Sequence, residues 1–141
     1  MGQRIIDVWT RQQTSKEFEW GQNDCHQLLY QFMRLTNLEW EDPDNIGDLA
    51  GTYSTRHEAM EVAKTLEIPK WFEQLGYSAK RVNRIETGDV VWVPLKKSHY
   101  DMYWPVVSNK TVLVGDPTTN SIILRHIDEL SHYDYQVYRR D

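Results

Sequence analysis

Apolar residues recur every three or four positions through the first half of the chain and in short extended runs through the second. Ile5, Ile6, Val8 and Trp9 fall on one stripe, which predicts an amphipathic helix over about residues 2–13, ending in the polar Gln12-Gln13-Thr14-Ser15. A second helix is predicted to begin close to Asn23. Asn23 or Asp24 suits its N-cap, and Cys25, Leu28, Leu29, Phe32, Met33 and Leu35 continue the 3-4 pattern. Residues 39–53, with Asp42-Pro43-Asp44 and two glycines, read as a surface loop closing on Gly51-Thr52-Tyr53. Thr55 and Glu58 fit a capping box ahead of Ala59, Val62, Ala63 and Leu66, giving a third helix. Pro69 in a first turn and Gly76 after Leu75 bracket a short fourth one carrying Trp71 and Phe72.

After Gly76 the period becomes extended. Gly88-Asp89 turns the chain into Val90-Val91-Trp92-Val93, a continuous apolar run of the kind that forms a buried strand. Tyr103–Val107, Thr111–Val114, Ser121–Leu124 and Tyr135–Arg139 are further strand candidates, joined by hairpin-sized connections. The pattern predicts an α+β domain, with N-terminal helices packed on a mostly antiparallel β-meander. With 141 residues and no internal repeat or linker, one domain spanning 1–141 is expected.

Charge and composition narrow the function. A formal net charge of −5, with no block of like charge longer than Lys96-Lys97, leaves no electrostatic footprint for a phosphate backbone, so nucleic acid is not an expected partner. The apolar runs are short and the N-terminus lacks a signal-peptide core, so no membrane insertion is expected. The one cysteine, Cys25, cannot form an internal disulfide, which points to folding in a reducing compartment.

Cys25 is also the candidate for chemistry. The positive end of a helix dipole and uncommitted N–H groups lower a thiol pKa, and the thiolate is the nucleophile. The alternative is a small apolar residue packed in the core with Leu28 and Leu29. A nucleophile needs a base. Among the five histidines, His26 points about 100° away from its neighbour Cys25 and reads as a surface or loop-contacting residue. His57 and His132 sit in polar surroundings and read as solvated, and His126, alternating with Leu124, is a weaker second choice. His99 precedes a strand that should pair with Val90–Val93, so a rigid element could carry it towards Cys25.

The succession Phe18-Glu19-Trp20-Gly21, Asp24-Cys25, Gly88-Asp89-Val90-Val91-Trp92 and His99-Tyr100-Asp101-Met102-Tyr103 resembles the landmarks of the NlpC-type branch of papain-like cysteine peptidases. It is similar in particular to a small group with Trp-Gly-x-x-Asp-Cys, many encoded among bacteriophage tail genes, which also share a Gly-x-Tyr segment, here Gly51-Thr52-Tyr53. The resemblance runs from Phe18 to about Val114 and implies a papain-like NlpC-type fold and a single cysteine peptidase-type domain.

Carried over, it makes Cys25 the nucleophile and His99 the general base. Attack on an amide carbonyl gives a thioester that water hydrolyses, with the Cys25 backbone N–H as one oxyanion donor. The implied substrate is a peptidoglycan stem peptide; no metal or organic cofactor is implied. The setting that the resemblance implies is the virion, as a tail protein among other tail proteins, made in the host bacterial cytoplasm.

Several positions depart from the pattern. His26-Gln27 stands where the family usually has Ser-Gly, and Phe18 lacks the hydroxyl of the tyrosine often found there. A second oxyanion donor is unassigned, Gln22 being the candidate, with Trp20 beside it in the substrate-binding segment. The third polar residue falls near Leu113 or Val114, and Asp116 is the nearest carboxylate. Tyr100-Asp101-Met102 replaces the small residues that usually follow the histidine. Two functions are therefore expected: a phage tail-associated cysteine peptidase or amidase, or a catalytically inactive structural or assembly component with the same fold. In the second, Trp40, Trp71, Trp92 and Trp104 could furnish an aromatic contact surface, unless they are ordinary core.

Overall fold

The computed structural model describes residues 2–35, 37–94 and 101–140. Helices come first: α1 (Gln3–Thr14), α2 (Cys25–Arg34), α3 (Arg56–Ala63) and α4 (Ile68–Gln74). Among the described residues six strands follow: β1 (Tyr77–Lys80), β2 (Val90–Val93), β3 (Met102–Ser108), β4 (Thr111–Asp116), β5 (Ser121–His126) and β6 (Gln136–Arg140), with a 3₁₀ turn at Ile127–Leu130. They form one sheet of order β1-β6-β2-β3-β4-β5, antiparallel at every pairing. The α+β class is as expected.

The helix ends follow local chemistry. The Asp24 carboxylate caps α2 by accepting from the His26 and Gln27 N–H groups, and Thr55 Oγ1 caps α3 by accepting from Glu58 N–H. Glu58 in turn reaches back to Ser54 N–H and the Thr55 hydroxyl. Pro69 occupies the first turn of α4, and Gly76, at φ 78°, takes the left-handed conformation that ends it. On α1 the buried face is Ile6, Trp9, Thr10 and Gln13, whereas Ile5 and Val8 flank it, 50% and 42% exposed. The burying stripe is thus narrower and more polar than the one expected.

The meander expectation holds from β2 to β5 and fails at the last strand. β6 does not extend the meander but inserts between β2 and β1. Asp89 fixes that insertion: it is 2% exposed, accepts Arg139 Nε and Nη2 at 2.9 and 2.8 Å, and also accepts Glu86 N–H. The Gly-Asp that opens β2 therefore anchors the strand beside it. β1, with Tyr77 its one buried residue, has no period of its own and is a strand because β6 pairs with it.

Each sheet face carries a core. The helices cover one face, burying Ile6, Trp9, Leu28, Leu29, Phe32 and Trp71. On the other, Val91, Val93, Trp104, Val106 and Val112 pack with Ile85, Leu130 and Val137. Trp40, Trp71 and Trp104 are buried and Trp92 is half-buried; Trp40 and Trp71 stack edge-on at 5.7 Å. Of the two readings of these rings, contact surface or ordinary core, interior packing is the one found, since large apolar rings gain most by leaving water.

Candidate functional site

The turn before α2 is built from two interlocking segments. Gly21, at φ 85°, donates its N–H to Asp24 Oδ2 at 2.8 Å and accepts Gly51 N–H on its carbonyl at 2.9 Å. A Cβ on Gly21 would lie 1.8 Å from the Tyr53 carbonyl oxygen, so only glycine permits the approach. The Tyr53 hydroxyl donates to Asp24 Oδ2 at 2.8 Å. Asp24 is fully buried yet accepts four donors: Gly21 N–H, His26 N–H, Gln27 N–H and Tyr53 O–H. Trp-Gly-x-x-Asp and Gly-x-Tyr thus brace each other and hold the first turn of α2.

Cys25 is the first residue of α2, and its sulfur lies against β3. Tyr103 N–H donates to Sγ at 2.9 Å, and the thiol donates to Tyr103 O at 3.1 Å. Strand parity explains why both groups are free to do so. Val106 exchanges its backbone bonds on the β2 side, with Gly88 and Asp89, so Tyr103, Pro105 and Val107 turn theirs the other way. On that side, among the described residues, the β3–β4 register pairs Val106 with Val112 and Ser108 with Thr111 and runs no further towards the start of β3. Pro105 has no N–H to lose there, and Gln3 Nε2 donates to Val107 O at 2.7 Å. Cys25 stands in for the missing strand.

Burial pushes the Cys25 thiol up to about 12; the Tyr103 N–H bond works against this, and the charges of Asp24 and Asp101 add to it. The side chain is 6% exposed and packs with Leu28 and Leu29 in the helix-side core. Next along, His26 is buried, and its Nε2–H donates to the Asp101 carbonyl at 2.8 Å, with its ring 5.6 Å from that of Tyr103. It contacts the approach to β3 from the interior. Burial pushes its pKa down, against the pull of Asp24 and Asp101. Two consecutive residues of α2 therefore grip the backbone of 101–103.

His99 lies outside the described residues. Asp116 ends β4, half-buried, and its Oδ1 accepts Thr118 N–H at 2.9 Å, shaping the turn into β5. Trp20 is half-buried, edge-on to Phe18 at 4.9 Å. Gln22 is exposed and lines a cleft of about 610 Å³ whose walls do not include Cys25. His57 and His132 are exposed, and His126 Nδ1 accepts Asp128 N–H as the cap of the 3₁₀ turn.

The structure thus gathers Asp24, Cys25, His26, Tyr53, Asp101 and Tyr103. Of these, Tyr53 enters the sequence reading as the close of a loop and through the Gly-x-Tyr of the resemblance, and Asp101 and Tyr103 as part of the segment after His99, with no role in the sequence reading for their backbone groups. Among the described residues no group of three His, Cys, Asp or Glu side chains is arranged to hold a metal ion, and no helix is long and apolar enough to cross a membrane.

No curated protein and no solved structure matches the chain. A family model does match, over residues 3–128, covering the brace around Asp24, the Cys25–Tyr103 contact and every strand but β6. The chain belongs to that family, described as a domain of unknown function, DUF6950.

Proposed function

We propose that this chain is a non-hydrolytic domain of NlpC-like design, serving as a structural or assembly component of a phage tail, in which Cys25 is a core residue. The supporting observation is the state of the sulfur. It is buried, bonded to both backbone groups of Tyr103, and pushed up to about 12. A nucleophilic cysteine works as the thiolate, and such a thiol is protonated at neutral pH. The helix-dipole benefit at the start of α2 is outweighed by desolvation. The tail setting rests on the resemblance carried by Trp20-Gly21, Asp24-Cys25 and Gly51-Thr52-Tyr53.

One observation favours the competing reading, a tail-associated peptidase or amidase acting on peptidoglycan peptides. Cys25 opens α2 and faces the strand that follows His99 in the chain. In that reading the sulfur would have to leave Tyr103 before attacking an amide.

Alkylation of Cys25 as a function of pH, together with digestion of purified sacculi, separates the two. The assembly reading expects a native thiol inert well above the free-thiol value of about 8.5, reactive after denaturation, and sacculi left intact. An apparent pKa below that value, raised by His99→Ala, with peptide release lost in Cys25→Ala, would establish the peptidase instead.

A further inference from the structure

The side of α2 turned away from the sulfur carries a second constellation. Gln27 and Gln31 lie about 200° and 240° round the helix from Cys25. With Tyr30, Lys16, Glu17 and Glu19 they line the cleft of about 610 Å³, which is bounded opposite by Gly47 and Ala50. That volume holds a few residues of a peptide.

The orientation of the Gln27 amide is fixed by its surroundings. The residue is 2% exposed, and its Nε2 donates to Ile46 O at 3.0 Å and to the Tyr53 hydroxyl at 3.5 Å. Since a backbone carbonyl can only accept, the nitrogen is the end turned to Ile46, and Oε1 is the other end of a side chain that lines the cleft. There it accepts no hydrogen bond from any described residue. One turn on, Gln31 offers the converse: its Oε1 accepts Trp9 Nε1–H at 3.3 Å, which leaves Nε2 for the cleft. The buried residue that offers an acceptor and the one that offers a donor are thus one turn of helix apart, about 6 Å along its axis, on one wall. That is close to the spacing at which an extended peptide repeats N–H and C=O on one side. At the rim, Glu17 and Glu19 outnumber Lys16.

We infer that this cleft binds an extended peptide segment bearing a basic side chain. Gln27 Oε1 accepts a backbone N–H of the segment, Gln31 Nε2 donates to a backbone C=O, and Glu17 and Glu19 face the cation. The site requires nothing of the sulfur, so it goes beyond the assembly reading and fails separately from it.

Amide-shift titration of the full chain with three capped tetrapeptides tests this: acetyl-Ala-Ala-Lys-Ala-amide and its alanyl and glutamyl counterparts. The lysyl peptide is expected to shift residues 16–31 and 47–50, with half-saturation near about 1 mM. Gln31→Glu keeps an acceptor for Trp9 but removes the donor, and should weaken the uncharged alanyl peptide about fivefold, the worth of one neutral hydrogen bond. Glu17→Gln with Glu19→Gln should weaken the lysyl peptide alone, about threefold at low salt. Three results would overturn the inference: no shifts in the cleft at about 10 mM peptide, glutamyl binding as tight as lysyl, or alanyl binding indifferent to Gln31→Glu.

Discussion

Replacing Cys25 by alanine tests the structural role of the sulfur directly. The substitution removes the partner of both Tyr103 N–H and Tyr103 O, at a place in the sheet where the β3–β4 pairing has stopped. A buried backbone group left without a partner costs about 1–3 kcal/mol, and thiol bonds sit at the weak end, so the pair contributes about 2 kcal/mol. Loss of a buried sulfur from a closely packed core adds about 1 kcal/mol. The expected destabilisation is about 3 kcal/mol, a large share of the 5–15 kcal/mol typical of a domain. Cys25→Ser keeps a donor and an acceptor on a shorter side chain, and should recover about half of the loss. Urea unfolding followed by fluorescence of the six tryptophans measures both, with the slope against denaturant unchanged. If Cys25→Ala is as stable as the parent within about 0.5 kcal/mol, or more stable, the reasoning fails. That result is what a nucleophile kept in a functionally strained site would give.

Three other outcomes follow from the same geometry. Tyr53→Phe removes one of four donors to a buried carboxylate and should cost about 1–3 kcal/mol in urea unfolding. Gly21→Ala, with its Cβ driven to 1.8 Å from the Tyr53 carbonyl and a positive φ, should cost more than about 3 kcal/mol or yield no folded protein by circular dichroism. Stability should also fall at both ends of the pH scale. The unfolded thiol ionises first as pH rises above the free-thiol value of about 8.5, so the Cys25 contribution is lost between there and about 12, and Cys25→Ser should flatten the change. At the acid end the unfolded His26 takes up its proton first, because burial lowers the folded value, so stability declines below about 6.5 and His26→Gln should remove that share. Urea midpoints across pH check both limbs.

Helix boundaries and β2 were legible because their causes are local. Asp24 caps α2, Thr55 and Glu58 start α3, Pro69 and Gly76 bracket α4, and Val90–Val93 is a strand over the expected four residues. In each case the deciding hydrogen bond or dihedral lies within a few residues of the signal. The motifs were also visible, but their work was not: Gly88-Asp89 anchors β6 through Arg139, a partner 50 positions away.

What the amino-acid order determined by itself was an α+β chain of capped helices and apolar strands, with a lone cysteine at a helix start. Tertiary structure alone decided that β6 slips between β1 and β2, that Trp40, Trp71 and Trp104 are buried rather than presented as a contact surface, and that the thiol is bonded to a strand. The Cys25–Tyr103 contact spans 78 positions and exists because β4 parts from β3, leaving two backbone groups to satisfy. Propensity and periodicity act over a turn or a strand, whereas burial, which sets the charge of this sulfur, is a property of the whole packed molecule.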